Sequence, residues 1–137
     1  MNAEHPERPD EDPWDVFQEG ARRGELLLRE CGDCGARSWP VPWMQRCHRC
    51  LGADTRWLVA GGTGTLYTFA RIHQDYHPSI ADRTPYPIGI VDLAEGARTG
   101  RVGLLVEPGA TLRAGSPVAA EFREAPDGST IPWFVVR

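Results

Sequence analysis

The chain has 137 residues and a mass of 15.2 kDa, the size of one domain or of two very small ones. With 41% hydrophobic and 25% charged residues, its composition is that of a globular protein rather than a disordered one. No apolar run approaches the roughly 18 residues that a membrane-spanning helix needs. The polar, acidic N-terminus also lacks the basic and apolar regions of a secretory signal. We therefore expect a cytoplasmic protein without a membrane segment.

The formal net charge of −4 is spread unevenly along the chain, and all 15 basic residues are arginine. Residues 1–20 hold seven acidic residues against one arginine, whereas residues 21–58 hold seven arginines against four acidic residues. Strong non-specific binding of nucleic acid requires an excess of positive charge to neutralise phosphates. The overall acidic balance therefore makes nucleic acid an unlikely partner.

A short helix is the first element that the sequence predicts. Residues 1–12 have almost nothing apolar to bury and contain two prolines and five acidic residues, which predicts a disordered acidic tail. Asp12 is a suitable N-cap, and Pro13 suits the first helical position. Gly24 is a typical residue at a helix C-terminus. The helix is therefore predicted over residues 13–24.

Large aromatic side chains are concentrated in the N-terminal third of the chain. In the predicted helix they lie on one apolar face, and in the segment that follows they flank two prolines. A module this small has little core in which to bury them, so they either pack on the rest of this chain or bind a partner protein. The candidate partner-binding residues are Trp14, Phe17, Trp39 and Trp43.

Two Cys-x-x-Cys pairs are the strongest motif in the sequence. Two intervening residues form a tight turn that directs both sulfurs of a pair at one ion, and two such turns complete a tetrahedral site. This spacing predicts a rubredoxin-like zinc ribbon over residues 25–58. Four thiolates leave no open coordination position, so the metal is expected to be structural rather than catalytic. The predicted ligands are Cys31, Cys34, Cys47 and Cys50.

Other uses of the four cysteines explain the pattern less well. Two disulfides are typical of secreted proteins, and a thioredoxin-like redox pair leaves the second pair unexplained. Iron binds the same ligand set in rubredoxin-like sites, so iron can replace zinc in recombinant material. His48 lies within the second pair, where it could compete as a ligand, although four thiolates already suffice.

From residue 59 to residue 137 the pattern changes to short strands. The segments are rich in β-branched and aromatic residues or alternate between apolar and polar ones, and Gly-rich turns separate them. Five such strands in about 80 residues predict a small Greek-key barrel of the OB-fold type. The chain is thus expected to be mainly β, with a short N-terminal helix, a zinc ribbon and a five-stranded OB-fold barrel. The strands are predicted at residues 66–72, 87–93, 101–106, 118–123 and 131–136.

A long loop with ionisable and aromatic side chains connects the first two barrel strands. It offers His73, His77 and Tyr86 as candidate ligand-contacting residues, because such loops carry the binding sites of OB-folds. A second metal site or a general acid–base site at the two histidines is a weaker alternative. No Ser-His-Asp order or paired-carboxylate motif is present, so no catalytic residue is predicted.

Taken in order, these features resemble a known family of bacterial and archaeal proteins. They are zinc-ribbon plus OB-fold proteins associated with acyl-CoA metabolism, long described as a domain of unknown function. The likeness runs from Trp14 to Arg137, and its order and spacing are more specific than any single piece. One departure is His48, which stands where the family often has proline. The segments that carry the likeness are residues 17–26, the two cysteine pairs, Trp57, and residues 62–69, 85–96, 112–118 and 132–134.

The resemblance implies a function that composition does not. Members of the family partner thiolase-like enzymes, such as thiolase and hydroxymethylglutaryl-CoA synthase assemblies, acyltransferases of phloroglucinol-type biosynthesis and the retro-aldolase that removes the steroid side chain. The ribbon and helix dock on the thiolase-fold subunit, the OB-fold helps to form the acyl-CoA path, and the catalytic residues belong to the partner. The four cysteines carry over as metal ligands.

The leading hypothesis is therefore a non-catalytic accessory subunit, in a hetero-oligomer with a thiolase-fold protein that processes acyl-CoA in lipid or steroid metabolism. The alternative is a module that binds single-stranded nucleic acid, because zinc ribbons and OB-folds both do so, and Tyr67 and Phe69 are expected on one face of a strand. A third hypothesis is a thioesterase or acyltransferase with His73 or His77 as its base.

Overall fold

The computed structural model describes residues 4–5, 12–40, 46–73 and 86–137. Among these residues it contains one helix and nine strands, so the predicted fold class is confirmed. No helix in this part of the chain has the length and apolar character needed to cross a bilayer. The elements are β1 (Glu4–His5), α1 (Pro13–Arg22), β2 (Leu26–Cys31), β3 (Arg37–Ser38), β4 (Thr55–Ala60), β5 (Thr63–Ile72), β6 (Tyr86–Leu93), β7 (Val102–Val106), β8 (Pro117–Glu124) and β9 (Thr130–Val136).

Helix α1 begins where its capping signals predict. The Trp14 backbone N–H donates to Asp12 Oδ1 at 2.8 Å, and Pro13 occupies the first helical position. The helix ends at Arg22, two residues before the predicted stop. Gly24 has a φ of +78°, a left-handed conformation that glycine adopts without steric cost and that redirects the chain into β2.

The N-terminal sheet has the strand order β1-β4-β2-β3. Strand β2 pairs antiparallel with β4 from Leu26 opposite Ala60 to Cys31 opposite Thr55. Nearly every residue of β2 is buried instead of alternate ones. The two faces of the strand are both covered, because Leu27 contacts α1 at Gly20 while Leu28 belongs to the central core cluster.

Strand β1 differs from the predicted disordered tail. Glu4 pairs with Leu58, and His5 pairs with Trp57, at the edge of this sheet. Ladder hydrogen bonds use backbone groups, so an acidic segment can pair with an exposed strand edge even though it has nothing apolar to bury. Residues 1–3 and 6–11 of the predicted tail lie outside the described residues, and the predicted domain boundaries stay a prediction.

Strands β5 to β9 form a closed barrel in the order β5-β6-β7-β9-β8. All neighbouring pairs are antiparallel except β7 and β9, which are parallel. The five strands coincide with the predicted segments to within three residues at each end. The inward side chains form a core shared with α1 and β2, whose members include Phe17, Leu28, Leu66, Val91, Leu104 and Phe134.

Polar contacts tie the ribbon to the barrel. Glu95, in the turn after β6, accepts a hydrogen bond from the Gly61 N–H at 2.9 Å through Oε2. Its carbonyl oxygen accepts from Arg37 Nη1 at 3.2 Å, and Arg37 also pairs with Glu30 of β2 at 2.8 Å. The ribbon therefore has fixed contacts with one end of the barrel.

Candidate functional site

The four predicted ligands come together at one end of the N-terminal sheet. Their Sγ atoms all lie within 4.8 Å of one another. The distance between Cys31 and Cys50 Sγ is 3.6 Å, and that between Cys34 and Cys47 Sγ is also 3.6 Å. A tetrahedral ion with Zn–S bonds of about 2.3 Å separates its sulfurs by about 3.8 Å. The cluster thus suits a metal such as zinc.

Both knuckles use the same backbone contacts to hold their cysteines. In the first, the Asp33 N–H donates to Cys31 Sγ at 3.4 Å, and in the second the Arg49 N–H donates to Cys47 Sγ at 3.3 Å. The Gly52 N–H adds a third donor, to Cys50 Sγ at 3.4 Å. Donors directed at sulfur favour its charged form, which is the form that binds a metal.

Backbone N–H groups directed at the sulfurs also shift the pKa values of the thiols. Backbone N–H groups of Cys50 and Arg49 lower the pKa of Cys47 from 9.0 to about 6. The Gly52 N–H lowers the pKa of Cys50, but the side chains of Cys31 and Cys34 outweigh it and raise that pKa to about 12. Sulfurs packed this closely cannot all carry charge unless a cation lies among them. A bound metal would therefore displace a proton from Cys50.

The cluster is closed with respect to coordination. Cys31 and Cys47 are buried, whereas Cys34 and Cys50 face solvent. His48 is exposed and is not one of the clustered ligands. Four thiolates satisfy a tetrahedral ion completely, which is the arrangement of structural rather than catalytic sites.

The predicted partner-binding aromatic residues have different environments. Trp14 is 45% exposed and stacks on Phe17 with ring centroids 5.7 Å apart. Phe17 is only 2% exposed, belongs to the central core, and meets Trp39 edge-on at 5.2 Å. Trp39 is half-buried, and Trp43 lies outside the described residues. Of the predicted residues that the structure describes, Trp14 therefore presents the largest free aromatic surface.

Most of the predicted ligand loop, including His77, lies outside the described residues. His73 is exposed just after β5, and Tyr86 is buried as the first residue of β6. Tyr86 lines a cavity of about 250 Å³ together with Arg71, Pro87, Trp133 and residues 104–106. Arg71 and Trp133 were not among the predicted site residues, because each belongs to an ordinary strand pattern and only the barrel brings them together.

A β-bulge separates the two aromatic residues expected on one face of β5. The register with β6 shifts between Leu66 and Thr68, which leaves Tyr67 as the extra residue. The Tyr67 ring centroid lies 3.6 Å from the guanidinium carbon of Arg98, and Phe69 pairs with Gly89; both aromatic side chains are exposed. The bulge interrupts the simple alternation of the strand, so a shared stacking face for the two residues stays a prediction.

The barrel also has the sequence features of a described domain family. Residues 57–123 match the family described as the C-terminal OB-fold domain of ChsH2. The same residues run from β4 through most of β8. This part of the chain belongs to the family of ChsH2 C-terminal OB-fold domains.

Two solved structures are similar to this chain along most of its length. A chain of the Ltp2-ChsH2(DUF35) aldolase is 26% identical, with a TM-score of 0.74, and the match covers 96% of this chain and 98% of that one. A DUF35 protein of unknown function from Sulfolobus solfataricus has a TM-score of 0.57 at 15% identity, over 90% of this chain and 84% of that one. At that identity the second likeness shows the fold alone.

A curated relative is similar along most of this chain. The probable enoyl-CoA hydratase alpha subunit of Thermomonospora curvata is 31% identical over 119 residues. The match covers 85% of this chain but 35% of the relative. The chain therefore spans about a third of the length of that relative.

Proposed function

We propose that this chain is a non-catalytic accessory subunit of a thiolase-fold enzyme that processes acyl-CoA, in a reaction of the thiolase, acyltransferase or steroid side-chain retro-aldolase type. One observation carries the proposal. The chain is similar to a chain of the Ltp2-ChsH2(DUF35) aldolase along 96% of its own length, with a TM-score of 0.74. The likeness therefore extends beyond the barrel to the helix and the ribbon.

The chemistry of the described residues supports an accessory role. The one group of clustered histidine, cysteine or acidic side chains in that part of the chain is the four-cysteine site, and it leaves no open metal position for a substrate. His73 is exposed at the end of a strand and lies outside that cluster. In this proposal the partner supplies the reacting groups, while this chain stabilises the partner and helps to form the acyl-CoA path.

Helix α1 is the proposed docking element. It packs closely on β2, where Gly20 leaves room for Leu27, so Trp14 is held at a defined position on the surface. An exposed indole on a rigid element is typical of the residues that dominate binding energy at protein interfaces. Asp15 and Glu19 are exposed on the same helix, which favours a partner surface with basic residues near an apolar pocket.

The proposal includes zinc as a structural ion and the cytoplasm as the compartment. Four reduced thiolates would hold the ion, and reduced cysteines persist in reducing compartments. When bound, the metal would supply folding free energy to the ribbon rather than chemistry to a substrate.

Purification of the tagged full-length chain from its own host, with intact-mass analysis of what accompanies it, tests the proposal. A thiolase-fold subunit in a fixed molar ratio supports it. Recovery of the chain alone, or with nucleic acid that salt removes, contradicts it. Acyl-CoA turnover by the isolated chain would contradict the non-catalytic role.

A matched pair of variants tests the docking element. Trp14→Ala is expected to weaken the complex at least about 30-fold, the loss typical of a central interface tryptophan. Tyr67→Ala removes a similarly exposed aromatic ring on β5 and is expected to leave the affinity within about twofold. Equal affinities for the two variants would place the interface elsewhere.

A further inference from the structure

A cleft opens in the barrel wall where β6 and β7 separate. The two strands pair only at Ile88 with Gly103 and at Gly89 with Val102. Pro87, the next residue toward the cleft, has no N–H and cannot donate to β7. The cavity of about 250 Å³ lies at this separation, between the start of β6 and residues 104–106 of β7.

The walls of the cleft are apolar and are held by close packing. The Trp133 ring lies directly against Gly103, where a Cβ atom would come within 2.3 Å of the indole. The missing side chain at Gly103 thus lets the indole form one wall. Leu104, Leu105 and Val106 supply aliphatic surface beside it. Sites for small ligands have such mostly apolar walls with few polar groups.

One positive charge stands at the edge of this apolar space. Arg71 lies opposite Pro87 in the β5–β6 ladder and lines the cavity. The Arg71 guanidinium forms no ion pair or hydrogen bond with the other described residues, in contrast to the guanidinium groups of Arg37 and Arg98, which are paired with carboxylates. A guanidinium without a partner beside an apolar cavity is complementary to an anionic group on an apolar ligand.

We propose that this cleft binds an apolar chain or ring that carries a negative charge at one end, with the charge at Arg71 and the apolar part against Trp133. All the residues named for this site are residues of this chain, so binding there does not require the partner proposed above. Two sources share this chemistry, a free carboxylic acid and an acyl thioester on a phosphate-bearing carrier. In the first the carboxylate adjoins the apolar part, whereas in the second the carrier separates the phosphates from it.

Three probes of one chain length test the site on the zinc-loaded full-length chain. Sodium octanoate supplies a carboxylate, octanoyl-CoA supplies a thioester with distant phosphates, and octan-1-ol supplies the chain without charge. Binding is followed by the backbone amide shifts of residues 104–106 and the Trp133 indole N–H. We expect at least one anionic probe to bind about 10-fold more tightly than octan-1-ol. The tighter of the two anionic probes identifies the source.

Two arginine variants separate the site from general surface charge. Arg71→Gln is expected to weaken the anionic probe about 10-fold and to leave octan-1-ol unchanged. Arg113→Gln removes the charge of another exposed arginine, which does not line the cavity, and should change neither. Leu105→Trp, which fills the cleft, should weaken all three probes while the circular dichroism spectrum stays native.

The proposal has three contradicting outcomes. The first is that millimolar concentrations of every probe leave the amide shifts of residues 104–106 unchanged. The second is that the Arg71→Gln and Arg113→Gln variants bind the anionic probe equally well. The third is that octan-1-ol binds as tightly as both anionic probes, which would remove the role of Arg71. Each result would overturn the assignment without affecting the proposed accessory function, which is tested by partner binding.

Discussion

Gln18 of α1 and Thr130 of β9 exchange two hydrogen bonds across 112 residues of sequence. Gln18 Nε2 donates to the Thr130 carbonyl at 2.6 Å, and the Thr130 N–H donates to Gln18 Oε1 at 2.8 Å. Both residues are buried. One amide side chain thus satisfies both backbone groups at the start of the last barrel strand and fixes the helix on the barrel.

Replacement of Gln18 by alanine should therefore destabilise the protein. It leaves a buried N–H and a buried carbonyl of Thr130 without partners, and we expect a loss of about 2 kcal/mol in the free energy of unfolding. Urea unfolding of the zinc-loaded protein measures it. Glu19→Gln, at the exposed neighbouring position, is the control and should change stability by less than about 0.5 kcal/mol. A similar small change in Gln18→Ala would show that water replaces the side chain.

Features encoded by neighbouring residues could be predicted from the sequence. The Asp12 cap requires only the residues that follow it, and each cysteine knuckle is closed by contacts within five residues, such as the Gly35 N–H to the Cys31 carbonyl at 2.9 Å. The barrel strands follow from alternation and turn residues. The spacing of the two knuckles was specific enough to identify the cluster as a metal-site candidate.

Features that depend on distant residues could not be predicted. The apolar face of α1 shows that Phe17 needs cover, but it does not show that Trp39 and the barrel core provide it. The bulge at Tyr67 depends on the register with β6, which a single strand does not encode. The cleft at Arg71 and Trp133 likewise arises from the place where the β6–β7 ladder stops.

Loss of one predicted ligand should unfold the ribbon. In Cys47→Ser a hydroxyl replaces a buried thiolate, so metal content is expected to fall from about one ion per chain to less than about a tenth. Elemental analysis of the purified protein and its circular dichroism spectrum measure both effects. His48→Ala, within the same knuckle, should keep the metal because His48 is not in the cluster. A folded, metal-free Cys47→Ser protein would contradict a structural role for the ion.

Metal affinity should rise with pH, because protons compete with the metal for the thiolates. Cys50, whose pKa is raised to about 12, releases a proton on binding throughout the range from pH 6 to pH 9. Linkage then predicts at least about a tenfold gain in affinity for each pH unit. Cys47, whose pKa is lowered to about 6, joins the competition only below that pH, where the loss should steepen to at least about a hundredfold per unit.

Competition with a chelator of known pH dependence measures this profile between pH 5 and pH 9. The chelator alone, titrated over the same range, provides the correction for its own protonation. An affinity that does not change between pH 6 and pH 9 would show that Cys50 is already ionised in the metal-free protein. A profile without a steeper loss below about pH 6 would contradict the lowered pKa of Cys47.

Gly103 should tolerate no side chain, because the Trp133 indole occupies the space. In Gly103→Ala the new Cβ would lie 2.3 Å from the ring, and strand and ring must move apart. Overpacking of this kind costs about 2 kcal/mol, measurable by urea unfolding, and displacement of the indole should alter the near-ultraviolet circular dichroism. Gly100→Ala is the matched control, since its Cβ would meet Trp39 at an ordinary 3.7 Å. Equal stability of the two variants would mean that Trp133 moves freely, and the cleft wall it forms would then not be rigid.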